Sequence, residues 1–304
     1  MFQGAHELRA QRQARSSHPA PKVSFEFFPP SSPAIEETLW KSVARLKTLA
    51  PEFVSVTYGA DGSTRDNTHR VIKALGEQTV IPTMPHLTCV DASKSEVDEV
   101  ADSYWKMGVR SIMALRGDPA SGAGSVYTPK ADGYHYAADL VAGLKRQHDF
   151  RIGVAAYPET HPEAPSAHFD IDNLKRKFDA GADFAISQFF FSTEAYLRFR
   201  DRCVLAGIDK PIIPGILPVT NFNTLKRFAG ACGTELPRWL SDSFEGLDND
   251  PETRQLIAAN IAIEQVLALQ NEGVNDFHFY TLNRAELCYA VCHSLGVRPA
   301  VELA

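Results

Sequence analysis

Nothing in this 304-residue chain approaches eighteen consecutive apolar residues, so no membrane-spanning helix is expected. Cysteine is scarce. The five present (Cys89, Cys203, Cys232, Cys288 and Cys292) are odd in number and show no Cys-x-x-Cys spacing. That argues against a disulfide framework and fits reduced thiols in a cytoplasmic protein. Cys288 and Cys292, four apart, read as one packed face of a helix rather than a metal pair. There is no His-Glu-x-x-His tract, and His161 and His168 are separated by Pro162 and Pro165, so no metal site is expected. The absence of a Gly-x-Ser-x-Gly elbow and of a cysteine–histidine signature removes the usual forms of nucleophilic catalysis. Neither nucleotide-binding glycine motif occurs: Gly122-Ala123-Gly124 lacks the third glycine, and no Gly-x-x-x-x-Gly-Lys is found. A nucleotide would have to be held in another way. A formal net charge of −6 speaks against a general binder of nucleic acid or anionic membrane. Hydride or proton transfer with a bound organic cofactor remains.

What the chain does have is a repeated alternation. Short β-branched or aromatic runs occur at 23–29, 53–59, 80–89, 111–117, 151–157, 184–191, 211–219 and 276–282. Segments of helical periodicity separate them, at 35–49, 66–77, 94–107, 136–148, 168–181, 194–206 and 221–230, with 252–271 and 284–295 completing the set. The seventh spacer is long and predicts an extra short helix near Pro237–Phe244. Gly108-Val109, Gly207-Ile208 and Gly273-Val274 mark helix exits into strands. Eight strand–helix units predict an α/β fold of the (β/α)₈ barrel type over residues 21–304, with a doubly wound open sheet as the alternative. Residues 1–20 carry Arg9, Arg12 and Arg15 against the single acid Glu7. They read as a flexible tail, with an organelle transit peptide as the other reading.

The most informative run is VSFEFFPP, Val23 to Pro30. Strand alternation puts Phe25 and Phe27 on one face and Ser24, Glu26 and Phe28 on the other. A carboxylate in such a strand must be paired, protonated or turned into a cavity. Desolvation by aromatic neighbours would raise its pKa and keep it a proton donor, while a structural ion pair is the plainer alternative. Barrel chemistry gathers at the C-terminal ends of strands. There the sequence places Thr57-Tyr58, His86, Arg116-Gly117-Asp118, Tyr157, Glu159 and His161, Gln188, and Tyr280, Asn283 and Arg284. Each has a structural explanation alone; their convergence on one rim argues for a site. In the helix at 168–181, Ile171, Leu174 and Phe178 form the apolar stripe, and Asp170, Asn173 and Lys177 form a second stripe one position earlier. With Arg176 alongside, that stripe suits a ligand bearing hydroxyls and phosphates, or is a solvated face.

The runs SFEFFPP, FVSVTYGA, PHLTC, ALRGD, VAAYPE, LKRKFDAGADFAISQFFF, PGILPV and HFYTLNRAE, in order from residue 23 to about 298, resemble methylenetetrahydrofolate reductase of the bacterial, single-domain type. The resemblance implies an FAD-dependent (β/α)₈ barrel that reduces 5,10-methylenetetrahydrofolate to 5-methyltetrahydrofolate with NADH or NADPH, the two substrates alternating at one flavin face. It implies a cytoplasmic homo-oligomer, a tetramer in many relatives, and no feedback inhibition by S-adenosylmethionine. Glu26 resembles the family's general acid, and Asp118 the carboxylate near the flavin pyrimidine edge that also meets the pterin. The FAD contacts implied are Thr57, Tyr58, Ala60, His86, Arg116, Gly117, Asp118, Tyr157, His161, Ala164, Asp170, Asn173, Arg176 and Lys177, with one more near Tyr136 or Ala137. For substrate, Gln188 resembles a pterin or nicotinamide contact, Phe228 an aromatic near both substrates, and Arg284 a folate-binding arginine. Thr224 stands where some relatives carry a substrate-contacting glutamine. Two other readings stay open: a barrel flavoprotein oxidising another small molecule such as proline, and a non-catalytic flavin- or folate-binding protein.

Overall fold

Parallel strands are built where β-branched and aromatic residues alternate. They are Lys22–Phe27 (β1), Val54–Val56 (β2), Thr83–Thr88 (β3), Ser111–Leu115 (β4), Arg151–Ala156 (β5), Phe184–Ser187 (β6), Ile212–Ile213 (β7), Gly215–Ile216 (β8) and Asp276–Tyr280 (β9). They come from a computed structural model of the chain that describes residues 20–58, 62–119, 122 and 126–299. The strands bond in the order β7-β6-β5-β4-β3-β2-β1-β9-β8. β7 and β8 are two halves of the seventh predicted strand, interrupted at Pro214, which has no N–H to give to a ladder. The first half pairs with β6 and the second with β9, so this one stretch closes the sheet into a (β/α)₈ barrel. At the break, Pro214 still accepts from the His278 N–H at 3.0 Å, and the Gly215 N–H turns to the Ser187 hydroxyl at 2.9 Å.

Helices Pro33–Leu46 (α1), Gly62–Gln78 (α2), Lys94–Lys106 (α3), Ala137–Gln147 (α4), Ala167–Asp179 (α5), Thr193–Leu205 (α6), Phe222–Cys232 (α7), Arg238–Phe244 (α8), Pro251–Asn271 (α9) and Glu286–Ser294 (α10) run between the strands. The extra helix expected in the seventh spacer is α8. The side chains of Ser32, Ser93, Ser166, Ser192, Asn221 and Asp250 cap helix N-termini. The three Gly-apolar exits share one geometry: each glycine has φ near +80° to +90°, and the next N–H reaches back to Tyr104, Cys203 or Leu269. The predicted strand at 53–59 is shorter than expected because the chain leaves the ladder after Val56, although the Thr57 N–H still reaches Phe27 O at 3.0 Å. No helix among the described residues is long and apolar enough to cross a membrane.

Side-chain alternation divides the core in two. Val23, Phe25 and Phe27 point outward against Leu39, Val266 and Val291 of the surrounding helices. Inside the barrel, Phe53, Met84, Met113, Phe184, Ile186 and Ile213 fill one end with apolar volume. Above that plug, the inward positions of β9, β1, β2 and β3 are polar: His278, Ser24, Glu26, Ser55 and His86. Gly215 makes room for the wall of this chamber. A Cβ there would meet the Ser187 carbonyl and lie 2.6 Å from Tyr280 Cε2. Gly215→Ala is therefore expected to lower stability by about 1–3 kcal/mol, read as a lower urea midpoint at unchanged slope.

Candidate active site

Glu26 lies inside the barrel, because β1 turns alternate side chains inward and parallel register sets it beside Ser55 and Tyr280. Its backbone carbonyl accepts from Thr281 Oγ1 at 2.6 Å, and Asn283 bonds both backbone groups of Phe28, at 3.0 and 2.9 Å. Asn283 adopts φ +57°, a conformation asparagine tolerates better than most residues. The carboxyl Oε2 meets two imidazoles, His86 Nε2 at 3.3 Å and His278 Nε2 at 3.7 Å. Burial alone would push this carboxyl up, but His278 and then His86 outweigh it and bring the pKa down to about 2. The expected rise from aromatic desolvation is thus corrected: the neighbours facing the carboxyl are imidazoles, while Phe25 and Phe27 face the helices. Burial also lowers His278, against the pull of Glu26.

On the side of β4 and β5, cationic and polar groups gather. Arg116 is ion-paired with Glu163 (Nη2–Oε1 2.8 Å) and lies 4.6 Å over the Tyr127 ring. Asp118, more exposed, is 3.9 Å from the same guanidinium. Tyr157 and His161 stack edge to face at 4.6 Å, and the His161 N–H donates to Asp170 at 2.8 Å. Burial lowers the pKa of His161 and raises that of Glu159 to about 7. Cap Ser166 starts α5 so that Ile171 and Leu174 are buried, while Asp170 turns to the loop after β5 and Lys177 to β5 itself. Lys177 is only 7% exposed, and its ammonium donates to Ala155 O at 2.8 Å. Burial lowers its pKa to about 8. Arg176 sits 5.2 Å over Phe169.

These groups match the demands of a dinucleotide. A lysine with three N–H donors resting on one carbonyl has capacity for phosphate oxygens, and Asp170 and Asn173 suit ribose hydroxyls. Buried polar atoms without a hydrogen-bond partner, among them His86 Nε2, Thr88 Oγ1 and Glu159 Oε1, occur at this same end.

Across the mouth, Gln188 is folded onto its own backbone, its Oε1 accepting from the Phe189 N–H at 3.0 Å. Arg284 is exposed and lines an open cavity of about 130 Å³ with Thr220, Arg254, Gln255, Tyr280 and Thr281. Phe228 is 46% exposed on α7, and Thr224, half-buried, is in its first turn. Thr57, Tyr58, Gly117 and Ala164 are partly buried at strand ends or in the loops beyond them. Tyr136 precedes α4 and packs 5.7 Å from Tyr127. Ala60 and the tail 1–19 lie outside the described residues.

Three residues of this arrangement were not singled out from the sequence. His278 shares the inward face with Tyr280 by period-2 spacing, so its direction was readable, but its partner was not. Ser24 was placed on the Glu26 face without a role. The pairing of Glu163 with Arg116 joins loops 47 positions apart and leaves no local pattern.

The methylenetetrahydrofolate reductase family model matches residues 10–296. The 5,10-methylenetetrahydrofolate reductase of Salmonella typhimurium is 59% identical over 92% of this chain and 92% of its own length. That of Escherichia coli is 57% identical over the same shares. Methylenetetrahydrofolate reductase (NADH) 1 of Arabidopsis thaliana is 33% identical over 90% of this chain and 48% of its own length. Among solved structures, a Clostridium thermocellum protein described as binding two copies of 5-methyl-5,6,7,8-tetrahydrofolic acid superposes with a TM-score of 0.60 at 16% identity, covering 94% of this chain and 97% of its own. At that identity the likeness is one of fold.

Proposed function

The chain belongs to the methylenetetrahydrofolate reductase family, and from that premise we propose that it reduces 5,10-methylenetetrahydrofolate to 5-methyltetrahydrofolate with NADH as hydride source and bound FAD as carrier. The observation that carries this reading is a glutamate inside the barrel, under a mouth with a cationic, dinucleotide-suited side and an opposite side bearing Gln188 and Arg284. Arg116, His161, Asp170, Asn173, Arg176 and Lys177 would hold the cofactor, which supplies a two-electron carrier able to serve both substrates in turn.

The protein's own work falls on few groups. Glu26, an anion in the free protein, takes up a proton when bound substrate shuts it off from water, and gives it to the amine nitrogen that leaves when the folate's five-membered ring opens. Its carboxylate then faces the iminium cation so formed and stabilises it. Gln188 is free to exchange its internal hydrogen bond for one to the pterin. Asp118, at the rim, meets the pterin's donor edge. Arg284 offers a planar fork to a carboxylate of the folate's glutamate tail. Arg284→Ala is expected to raise the KM for methylenetetrahydrofolate about tenfold at nearly unchanged kcat, as loss of binding common to ground and transition states requires.

The test is an anaerobic visible titration of the FAD-loaded protein. Bleaching of the flavin band by NADH and its return with methylenetetrahydrofolate would support both half-reactions. Bleaching without return would point to another acceptor, and failure to retain FAD would end the reading. We further propose a cytoplasmic homo-oligomer, a tetramer on the family pattern, which sedimentation of the FAD-loaded protein would decide.

A further inference from the structure

We propose that His278, with its ring orientated by Ser24, positions Glu26 so that one carboxyl oxygen faces imidazole nitrogens and the other is left to carry the transferred proton. The argument begins with register. Ser24 pairs directly with His278 in the parallel ladder between β1 and β9, so both side chains enter the barrel side by side. The Ser24 hydroxyl has two acceptors in reach, His278 Nδ1 at 2.8 Å and Phe277 O at 3.4 Å. The carboxylate facing Nε2 draws the ring's one hydrogen to that nitrogen, which leaves Nδ1 to accept from the Ser24 hydroxyl. The ring is fully buried, stacked on Phe53 at 5.7 Å and met edge-on by Tyr280 at 5.4 Å, so it cannot reorientate freely. Burial favours its neutral form, which carries a single N–H. With Nδ1 accepting, that hydrogen sits on Nε2 and faces Glu26.

Both imidazoles converge on the same oxygen. His86 Nε2 at 3.3 Å and His278 Nε2 at 3.7 Å both face Oε2, neither nitrogen has a hydrogen-bond partner, and no described group bonds Oε1. A carboxyl group that must alternate between acid and anion is served by this division. Oε2 remains an acceptor in both states, while Oε1 gains or loses the hydrogen. The proton leaves Oε1 for the departing amine nitrogen of the substrate, and the negative charge left behind is shared with Oε2. His278 keeps its hydrogen throughout, so the step needs no other proton. Besides these histidines, the titratable group packed against the carboxyl is Tyr280 on β9; Ser55 on β2 is neutral.

The proposal rests on the proposed function only for the destination of the proton. Its test reads Glu26 directly: infrared difference titration of the carboxyl band in the FAD-loaded protein, with Glu26→Gln identifying the band. Ser24→Ala removes one oxygen from the chamber and frees Nδ1. The stabilising N–H is then no longer aimed at Oε2 while burial persists, so the Glu26 midpoint is expected to rise by about one pH unit. The alkaline limb of the methylenetetrahydrofolate half-reaction, set by the same carboxyl in the substrate-bound site, should move up as well, a movement that a purely structural serine would not produce. His278→Gln, whose amide N–H can reach the same oxygen, should fall between wild type and Ser24→Ala. An unmoved midpoint in Ser24→Ala overturns the proposal. If the wild-type protein showed no folate-dependent step at all, the proposed function would fall, while the infrared titration would still decide the coupling between His278 and Glu26.

Discussion

Glu26→Gln is expected to slow the methylenetetrahydrofolate half-reaction by about 10²–10⁴-fold while the NADH half-reaction stays within a few-fold of wild type. Glutamine keeps the shape of the side chain and can still accept from His86 and His278 through its amide oxygen. It has no proton to give, and it cannot become the anion that faces an iminium cation. NADH gives its hydride without ring opening, so it needs neither property. Stopped-flow measurement of the two half-reactions separates these steps, and an equal loss in both would show that Glu26 supports the fold of the mouth rather than proton transfer. A pH signature accompanies the change. The Glu26 carboxyl is lowered from 4.5 to about 2 in the folded protein, so its contribution to stability is complete above about 4.5 and is lost as pH falls toward 2. The variant should lack that component of acid unfolding.

The direction of this side chain was legible, and its electrostatics were not. Alternation in VSFEFFPP already sends Glu26 away from Phe25 and Phe27. Its real neighbours come from β3 and β9, far along the chain, and only barrel closure brings His86 and His278 to it. A rule about desolvation, applied to adjacent letters, therefore gave the wrong sign. The break in the seventh strand was readable in principle, since Pro214 stands inside PIIPGILP, but its consequence depends on which neighbours need the missing donor. The polar stripe on α5 was legible because helix geometry is local; that Lys177 is buried beneath it depends on the packing of β5. Glu163 lay beyond reach for the same reason, being defined by a partner on another loop.

Lys177→Met should weaken FAD binding by about 10- to 100-fold and at the same time stabilise the FAD-free protein. The affinity loss follows from removing a charge-assisted contact to phosphate, worth about 1.5–3 kcal/mol. The stability gain follows from burial. In the folded chain Lys177 has its pKa lowered from 10.5 to about 8, so the folded state holds this proton less tightly than the unfolded one. The penalty is fully present below about pH 8, fades between 8 and 10.5, and is absent above, so this group's own contribution to wild-type stability improves with pH across that window. A shift of this size corresponds to about 3 kcal/mol, of which the hydrogen bond to Ala155 O, lost in the variant, cancels about 1 kcal/mol. Methionine fills the same volume with nothing to desolvate, so the variant's advantage over wild type should be largest at pH 7.5 and shrink toward pH 10.5. Fluorescence titration of FAD into the apoprotein and urea unfolding at pH 7.5 and 10 measure the two effects. General damage to the fold would move both in the same direction. Opposite movement is the mark of a cation held in an unfavourable place for a ligand that neutralises it.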